Sequence, residues 1–198
     1  MKNLVVLFLA IIILSSNTCK KIDCAGSVYS FEAKAKILNA ADSVNIGDTI
    51  WLEIACPVSQ INLTTGQTVE YSNAANLGTA VGIGELIPPN GREAASDFKY
   101  YLKIGDSIIN PNINSIREYN FKEFSNKYQL LLGIIPRKAG FFNIAISNAA
   151  NVYRKTDKCN KANYKIFFSE TQQHLYFIKQ IFGFDTDRPE IVYCFKVK

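Results

Sequence analysis

The alternation of apolar and polar residues in short segments is the feature that most constrains the fold of this chain. Segment 48–56, DTIWLEIAC, places Ile50, Leu52, Ile54 and Cys56 on one side of an extended strand. A side-chain period of two is typical of a strand with one buried face. Segment 48–56 is therefore predicted to be a core strand of a β-sheet.

The same pattern recurs along the chain. Segment 140–147 alternates with Phe142, Ile144 and Ile146 directed inward, and segment 128–136 is a nearly continuous apolar run of strand length. Weaker strands are predicted at 28–38, 69–72, 79–86, 98–104, 115–121, 164–168 and 191–197. About ten short strands, many separated by Gly, Pro or Asn, predict an all-β sandwich or barrel.

The first residues have the organisation of an export signal. A charged start, 1–3, precedes eleven apolar residues, 4–14, and then Ser15 and Ser16. Eleven residues rise about 16 Å as a helix, which is half of a hydrocarbon core of about 30 Å. The apolar run is therefore too short to span a bilayer and predicts a secretory signal peptide.

The cysteine that follows this leader resembles the lipidation site of bacterial lipoproteins, which are cut directly before a cysteine that then receives lipid. Cys19 occupies that place, after Ser16, Asn17 and Thr18. The resemblance implies a signal peptide at 1–18 and a membrane anchor on Cys19, followed by a tether at 19–27. The length of the remaining chain suits one domain at 28–198. An ordinary signal-peptidase cut, with Cys19 as a disulfide partner, is the alternative.

The number of cysteines favours lipidation. The chain has five, and an odd number in an exported protein leaves one thiol to be explained. With Cys19 lipidated, the other four allow two disulfides in three connectivities. We expect the pairs nearest in sequence, Cys24 with Cys56 and Cys159 with Cys194. Because Lys20 and Lys21 replace the acidic run typical of surface-exported lipoproteins, the resemblance implies an outer-membrane protein that faces the periplasm.

Two further segments resemble bacterial immunoglobulin-like domains. These are 44–54, VNIGDTIWLEI, and 134–147, IIPRKAGFFNIAIS, the second of which forms a corner between two neighbouring strands. The resemblance implies an immunoglobulin-like β-sandwich. One helix is also predicted: residues 169–172 resemble a capping box, apolar residues follow at helical spacing from Leu175 to Phe182, and Gly183 suits the position after the helix.

No motif indicates catalysis, a metal or a cofactor. His174 is the only histidine and is predicted to lie on this helix, and no C-x-x-C or glycine-rich phosphate-binding pattern occurs. The net charge of +5 is scattered without a long Lys/Arg run, which argues against nucleic-acid binding. A glycan-directed hydrolase stays open as a third alternative, because two distant carboxylates leave no local signature.

A binding role is the main functional expectation. We expect a non-catalytic cell-envelope lipoprotein with a binding or structural role towards an envelope protein, and a carbohydrate-binding module is the alternative. Trp51, Tyr100 and Tyr101 are the candidate ligand-binding residues, because sugars stack on exposed aromatic rings. Core packing would explain the same aromatic residues, since strands are rich in them.

Overall fold

Two β-sheets account for most of the chain in the computed structural model, which describes residues 26–109, 115–169 and 171–198. The strands are β1 (Val28–Leu38), β2 (Ser43–Val44), β3 (Ile50–Pro57), β4 (Ser59–Ile61), β5 (Thr68–Glu70), β6 (Ala74–Ala75), β7 (Gly78–Glu85), β8 (Arg92–Glu93), β9 (Phe98–Ile104), β10 (Asp106–Ile108), β11 (Ile116–Asn120), β12 (Lys122–Phe124), β13 (Lys127–Pro136), β14 (Gly140–Ile146), β15 (Ala149–Arg154), β16 (Asp157–Phe168) and β17 (Val192–Val197). Helix α1 spans Tyr176–Phe182, and 3₁₀ turns span Ala95–Asp97 and Pro189–Ile191.

The first sheet has the strand order β12-β13-β3-β1-β16-β15-β6, with β9 also paired to β13. The second sheet has the order β10-β11-β7-β14-β17-β2, with β8 on β7, and β4 pairs β5 separately. Most pairs are antiparallel, but β1 runs parallel to β16, with Val28 opposite Lys161. The N-terminal strand is therefore placed in the middle of the first sheet by a strand more than a hundred residues later.

The inner faces of the two sheets share one core. Ile50, Leu52, Ile54 and Cys56 are buried on β3, as the alternation predicts, and the alternate residues of β14 are buried opposite them. The segment from Pro136 to Gly140 crosses from the first sheet to the second, because β13 and β14 belong to different sheets. The prediction of an all-β sandwich is confirmed.

The helix begins later than its sequence pattern predicts. Its N-cap residue is Leu175, and no side chain caps the helix. Ser169 and Thr171 instead form hydrogen bonds with the backbone of β1. The Ser169 amide donates to the Ala35 carbonyl, and the Thr171 hydroxyl accepts from the Ile37 amide at 3.2 Å. The predicted capping box is therefore wrong, while the role of Gly183 at the C-terminal end is confirmed by its φ of 81°.

The predicted disulfide pairs are also wrong. Cys56 and Cys194 are free and buried, and burial raises the pKa of each thiol to about 12. Cys56 packs in the core between the sheets, whereas Cys194 lies in a second apolar cluster beneath α1. Cys159 is disulfide-bonded, and neither of the other two described cysteines is its partner. Cys19 and Cys24 lie outside the described residues.

Buried tyrosine hydroxyls fasten the connection between β5 and β6 to the first sheet. The Tyr128 hydroxyl donates to the Tyr71 carbonyl at 2.7 Å and accepts from the Ala74 amide at 2.9 Å. The Tyr71 hydroxyl lies 2.9 Å from the Asn160 carbonyl oxygen and 3.0 Å from that of Val152. Backbone groups that β5 and β6 leave unpaired thus have partners inside the protein.

Removing the Tyr128 hydroxyl tests this arrangement. Tyr128→Phe leaves the Tyr71 carbonyl and the Ala74 amide without that partner, so we expect the free energy of unfolding to fall by about 1–3 kcal/mol. Urea denaturation measures the change. Tyr101→Phe is the control, because Tyr101 is exposed and should alter stability little. Equal losses from the two substitutions would contradict the assignment.

Candidate ligand-binding surfaces

Two of the three candidate aromatic residues meet on the outer face of the first sheet. Trp51 on β3 and Tyr101 on β9 both lie opposite Gly133 on the intervening strand β13. Their ring centroids are 6.0 Å apart with an interplanar angle of 78°, and Tyr101 is 58% exposed. Trp51 is half-buried, so the pair is a surface feature rather than part of the core.

Gly133 makes room for the Trp51 ring. A Cβ at position 133 would lie only 3.3 Å from the indole and 2.9 Å from the Thr49 methyl group. The indole therefore lies across the bare backbone of β13. The Lys103 ammonium sits 5.7 Å from its ring centroid, a cation–π distance. Trp51, Tyr101 and Lys103 form one aromatic and basic contact surface.

Tyr100 points to the other side of β9. Its hydroxyl donates to the Ala95 carbonyl at 3.1 Å, and the Arg117 guanidinium stands 5.4 Å from its ring centroid. Burial is the main cause that raises the pKa of Tyr100 above its ordinary value. The structure thus brings Trp51 and Tyr101 together and separates Tyr100 from them, as strand alternation requires.

A groove of about 970 Å³ lies on the outer side of the second sheet. Its floor consists of small outward-facing residues of two paired strands, with Gly82 opposite Ala145 and Gly84 opposite Asn143. A Cβ at Gly82 would meet no atom within 4 Å, which shows that the space above it is open. The Asn143 side-chain oxygen accepts from the Gly84 amide at 3.0 Å and so fixes the Asn143 side chain at the floor.

One wall of the groove is aromatic. The rings of Phe182 and Phe184 stack with centroids 5.6 Å apart at 25°, and Phe184 is 59% exposed. The turn at Gly183 brings the two rings together. The helix that carries Phe182 is held on the second sheet by Ile178, Phe177 and the cluster around Cys194. Sequence reasoning missed this groove, because its floor depends on strand pairing.

A buried carboxylate fixes the loop at the other side of the groove. Glu85 is 6% exposed and accepts from Lys138 at 3.1 and 3.2 Å, and Arg92 lies 2.5 Å from it. Arg92 also contacts Asp97 at 2.5 Å, and contacts with Asp97 and Glu85 raise the pKa of Arg92. The Glu85 carboxylate thus holds both the corner between the sheets, through Lys138, and the rim of the groove, through Arg92.

A smaller groove of about 600 Å³ lies at the end of the first sheet. Its lining is rich in polar groups and includes Asn73, Asp106, Lys122, Glu123 and Lys155. Phe121, Phe124 and Tyr128 also line it, but polar surface predominates there, whereas the lining of the larger groove is mainly apolar. The larger groove is therefore the stronger candidate for a binding site.

The only histidine lies outside the helix on which the sequence places it. His174 precedes α1, has a φ of 50° and is 7% exposed, with Tyr193 at a ring distance of 5.7 Å. Burial lowers the pKa of His174, although Asp42 opposes this. Neither ring nitrogen has a hydrogen-bond partner. Its aromatic contacts indicate a packing role.

Within 26–109, 115–169 and 171–198, no three His, Cys, Asp or Glu side chains cluster as metal ligands would. Over the same residues, no helix has both the length and the apolar character needed to cross a membrane.

Comparison with known proteins identifies no family. No family model matches the chain, and no curated protein matches it. A crystal structure of the human F-spondin reeler domain aligns with a TM-score of 0.39 and 12% identity, covering 91% of this chain and 100% of that one. This similarity is too weak to indicate a shared fold or function.

The ion pairs around Glu85 give a ranked prediction for stability. We expect Arg92→Ala to lower the free energy of unfolding more than Lys138→Ala does, because Arg92 joins a buried carboxylate to Asp97. Lys138→Ala should cost less than about 1 kcal/mol, since Lys138 is half exposed and solvent screens its pair.

Urea denaturation of the two variants provides the test. Lys179→Ala is the matched control, because its pair with Asp185 is exposed on both sides and should contribute almost nothing. A loss from Lys179→Ala as large as that from Arg92→Ala would refute the ranking.

Proposed function

We propose that this chain is a non-catalytic, lipid-anchored protein of the bacterial cell envelope that binds an envelope partner through the groove on its second sheet. The groove is the observation that carries the binding role. It combines an open floor of small residues with an aromatic wall, the combination that ligand sites use to gain contact area and orientation. The leader and Cys19 are the sequence features that support the anchor.

We also propose that the β-sandwich is immunoglobulin-like. Two packed, mostly antiparallel sheets and a corner that crosses between them after Pro136 support it. The groove is described from the pairing of β7 with β14, so its description does not depend on whether the sandwich is immunoglobulin-like. An experimental structure compared strand by strand with immunoglobulin-like domains is its test.

A protein partner is the first candidate, and a carbohydrate is the second. The stacked rings of Phe182 and Phe184 favour the carbohydrate, because an exposed aromatic face accepts the apolar side of a sugar ring. Asn143 and Arg188, which also line the groove, supply planar polar groups suited to neighbouring hydroxyls. Trp51 and Tyr101, whose rings are steeply inclined, do not offer a coplanar stacking platform.

The anchor is tested by metabolic labelling. Cells that express the chain should incorporate radiolabelled palmitate into it, and Cys19→Ser should abolish the label, because the thiol that receives the lipid is gone. Cys24→Ser serves as the control and should keep the label. Label that survives Cys19→Ser would refute lipidation at this residue.

The groove is tested by filling its floor. Gly82→Leu adds a side chain where a Cβ meets no atom within 4 Å, so the fold should tolerate it while the groove is blocked. A photocrosslinking residue at position 184 should capture the partner in the parent chain, and we expect at least a tenfold loss of crosslinked product with Gly82→Leu.

Ala55→Leu is the matched control, because it enlarges an outward residue on a central strand of the opposite sheet. Crosslinking should be unchanged in that variant. Crosslinking that persists in Gly82→Leu would contradict the groove as the binding site. Competition of the crosslink by oligosaccharides, but not by extended peptides, would assign the groove to the second candidate.

A further inference from the structure

The outer face of the first sheet concentrates positive charge that is dispersed in the sequence. On the described strands β1, β9, β13 and β16, strand alternation directs seven exposed lysines to this side, where Glu32 of β1 and Glu53 of β3 also lie. The lysines are Lys34, Lys36, Lys99, Lys103, Lys127, Lys161 and Lys165. We call this surface the basic face. No long Lys/Arg run exists along the chain, so only strand pairing creates it.

Aromatic rings lie among these lysines. Trp51 and Tyr101 adjoin Lys103, and the Lys165 ammonium stands 5.6 Å from the ring centroid of Phe167. Lysine carries its charge on a long apolar stem, and Trp and Tyr combine an apolar ring with a polar group. Side chains of these types are enriched where proteins meet the boundary between lipid headgroups and hydrocarbon.

We propose that the basic face rests on a membrane surface that contains anionic lipid, an inference that depends on the proposed lipid anchor. The charges complement the lipid: lysines near an anionic surface are attracted to it within roughly one Debye length, about 8 Å at physiological salt. The rings of Trp51 and Tyr101 contact the headgroup region. The groove on the second sheet then faces away from the membrane.

The anchor makes a weak surface contact effective. The tether at 19–27 spans at most about 30 Å when fully extended, so the domain stays close to the bilayer. Strand β1, which follows this tether, contributes Lys34 and Lys36 to the basic face. Confinement near the bilayer raises the effective concentration of headgroups at this face, as in any two-point attachment.

The shape of the face favours a membrane over an acidic polymer. The lysines are spread across four strands rather than gathered at a cleft, and neither groove described above lies among them. A broad basic surface suits a broad anionic partner such as a membrane. Binding of an acidic polysaccharide is an alternative outcome of the test below.

The only tryptophan of the chain reports directly on this face, because it is Trp51. The lipidated full chain is reconstituted into vesicles of phosphatidylethanolamine and phosphatidylglycerol, with bromine on the acyl chains as a quencher. We expect a blue shift and bromine quenching of Trp51 fluorescence, both reversed by high salt. A lipidated chain whose Trp51 is neither shifted nor quenched would overturn the proposal while leaving the anchor intact.

Charge variants measure the contribution of the face without the anchor. In Cys19→Ser chains, Lys99→Gln with Lys103→Gln should lower partitioning into these vesicles by roughly 25-fold, about fivefold for each charge removed. Lys179→Gln with Arg188→Gln removes two charges on the groove side and should have little effect. Equal losses from the two pairs would mean non-specific attraction and would refute the proposal.

A second pair of variants tests the rings. Tyr101→Ala should weaken vesicle binding, whereas Phe184→Ala, which removes a ring of equal exposure on the groove side, should not. A Trp51 response to polygalacturonate without any response to vesicles would reassign the face to an acidic glycan. Vesicle binding by Cys19→Ser chains would support membrane binding by the basic face even if Cys19 proved not to carry lipid.

Discussion

Phe98 of the first sheet stands edge-on to Phe142 of the second, with ring centroids 5.0 Å apart, and Phe195 completes the cluster. Contacts of this kind hold the two sheets together, because each strand gives every second side chain to the shared core. The inner faces are thereby occupied. The two outer faces differ: one is broad and basic, and the other carries a groove floored by glycine and alanine.

Local sequence pattern predicted the strands well because alternation is a local property. Segment 28–38 coincides with β1, and the inward residues of β3 and β14 are the ones that the alternation indicates. The errors arose where distant segments compete for the same groups. Thr171 pairs with β1 instead of beginning a helix, and Cys56 and Cys194 lie in different apolar clusters instead of in disulfides.

The candidate surfaces were less predictable, because they form between segments far apart in sequence. Trp51 was identified from its outward position, but its proximity to Tyr101 depends on β13 lying between them. The groove needs Gly82 and Ala145 in register on paired strands, and neither residue carries a chemical signature alone. The groove exists because Gly82 and Ala145 have little or no side chain to fill the space above them. A search of the sequence for reactive residues therefore misses it.

Opposite roles for the two outer faces are the central claim of this account. Lysine acetylation of the lipidated chain, compared between anionic vesicles and detergent and read out by mass spectrometry, tests that claim most directly. We expect vesicles to protect Lys99 and Lys103, while Lys179, on the helix beside the groove, reacts equally with vesicles and with detergent. Protection of Lys179 with full reactivity of Lys99 and Lys103 would contradict it.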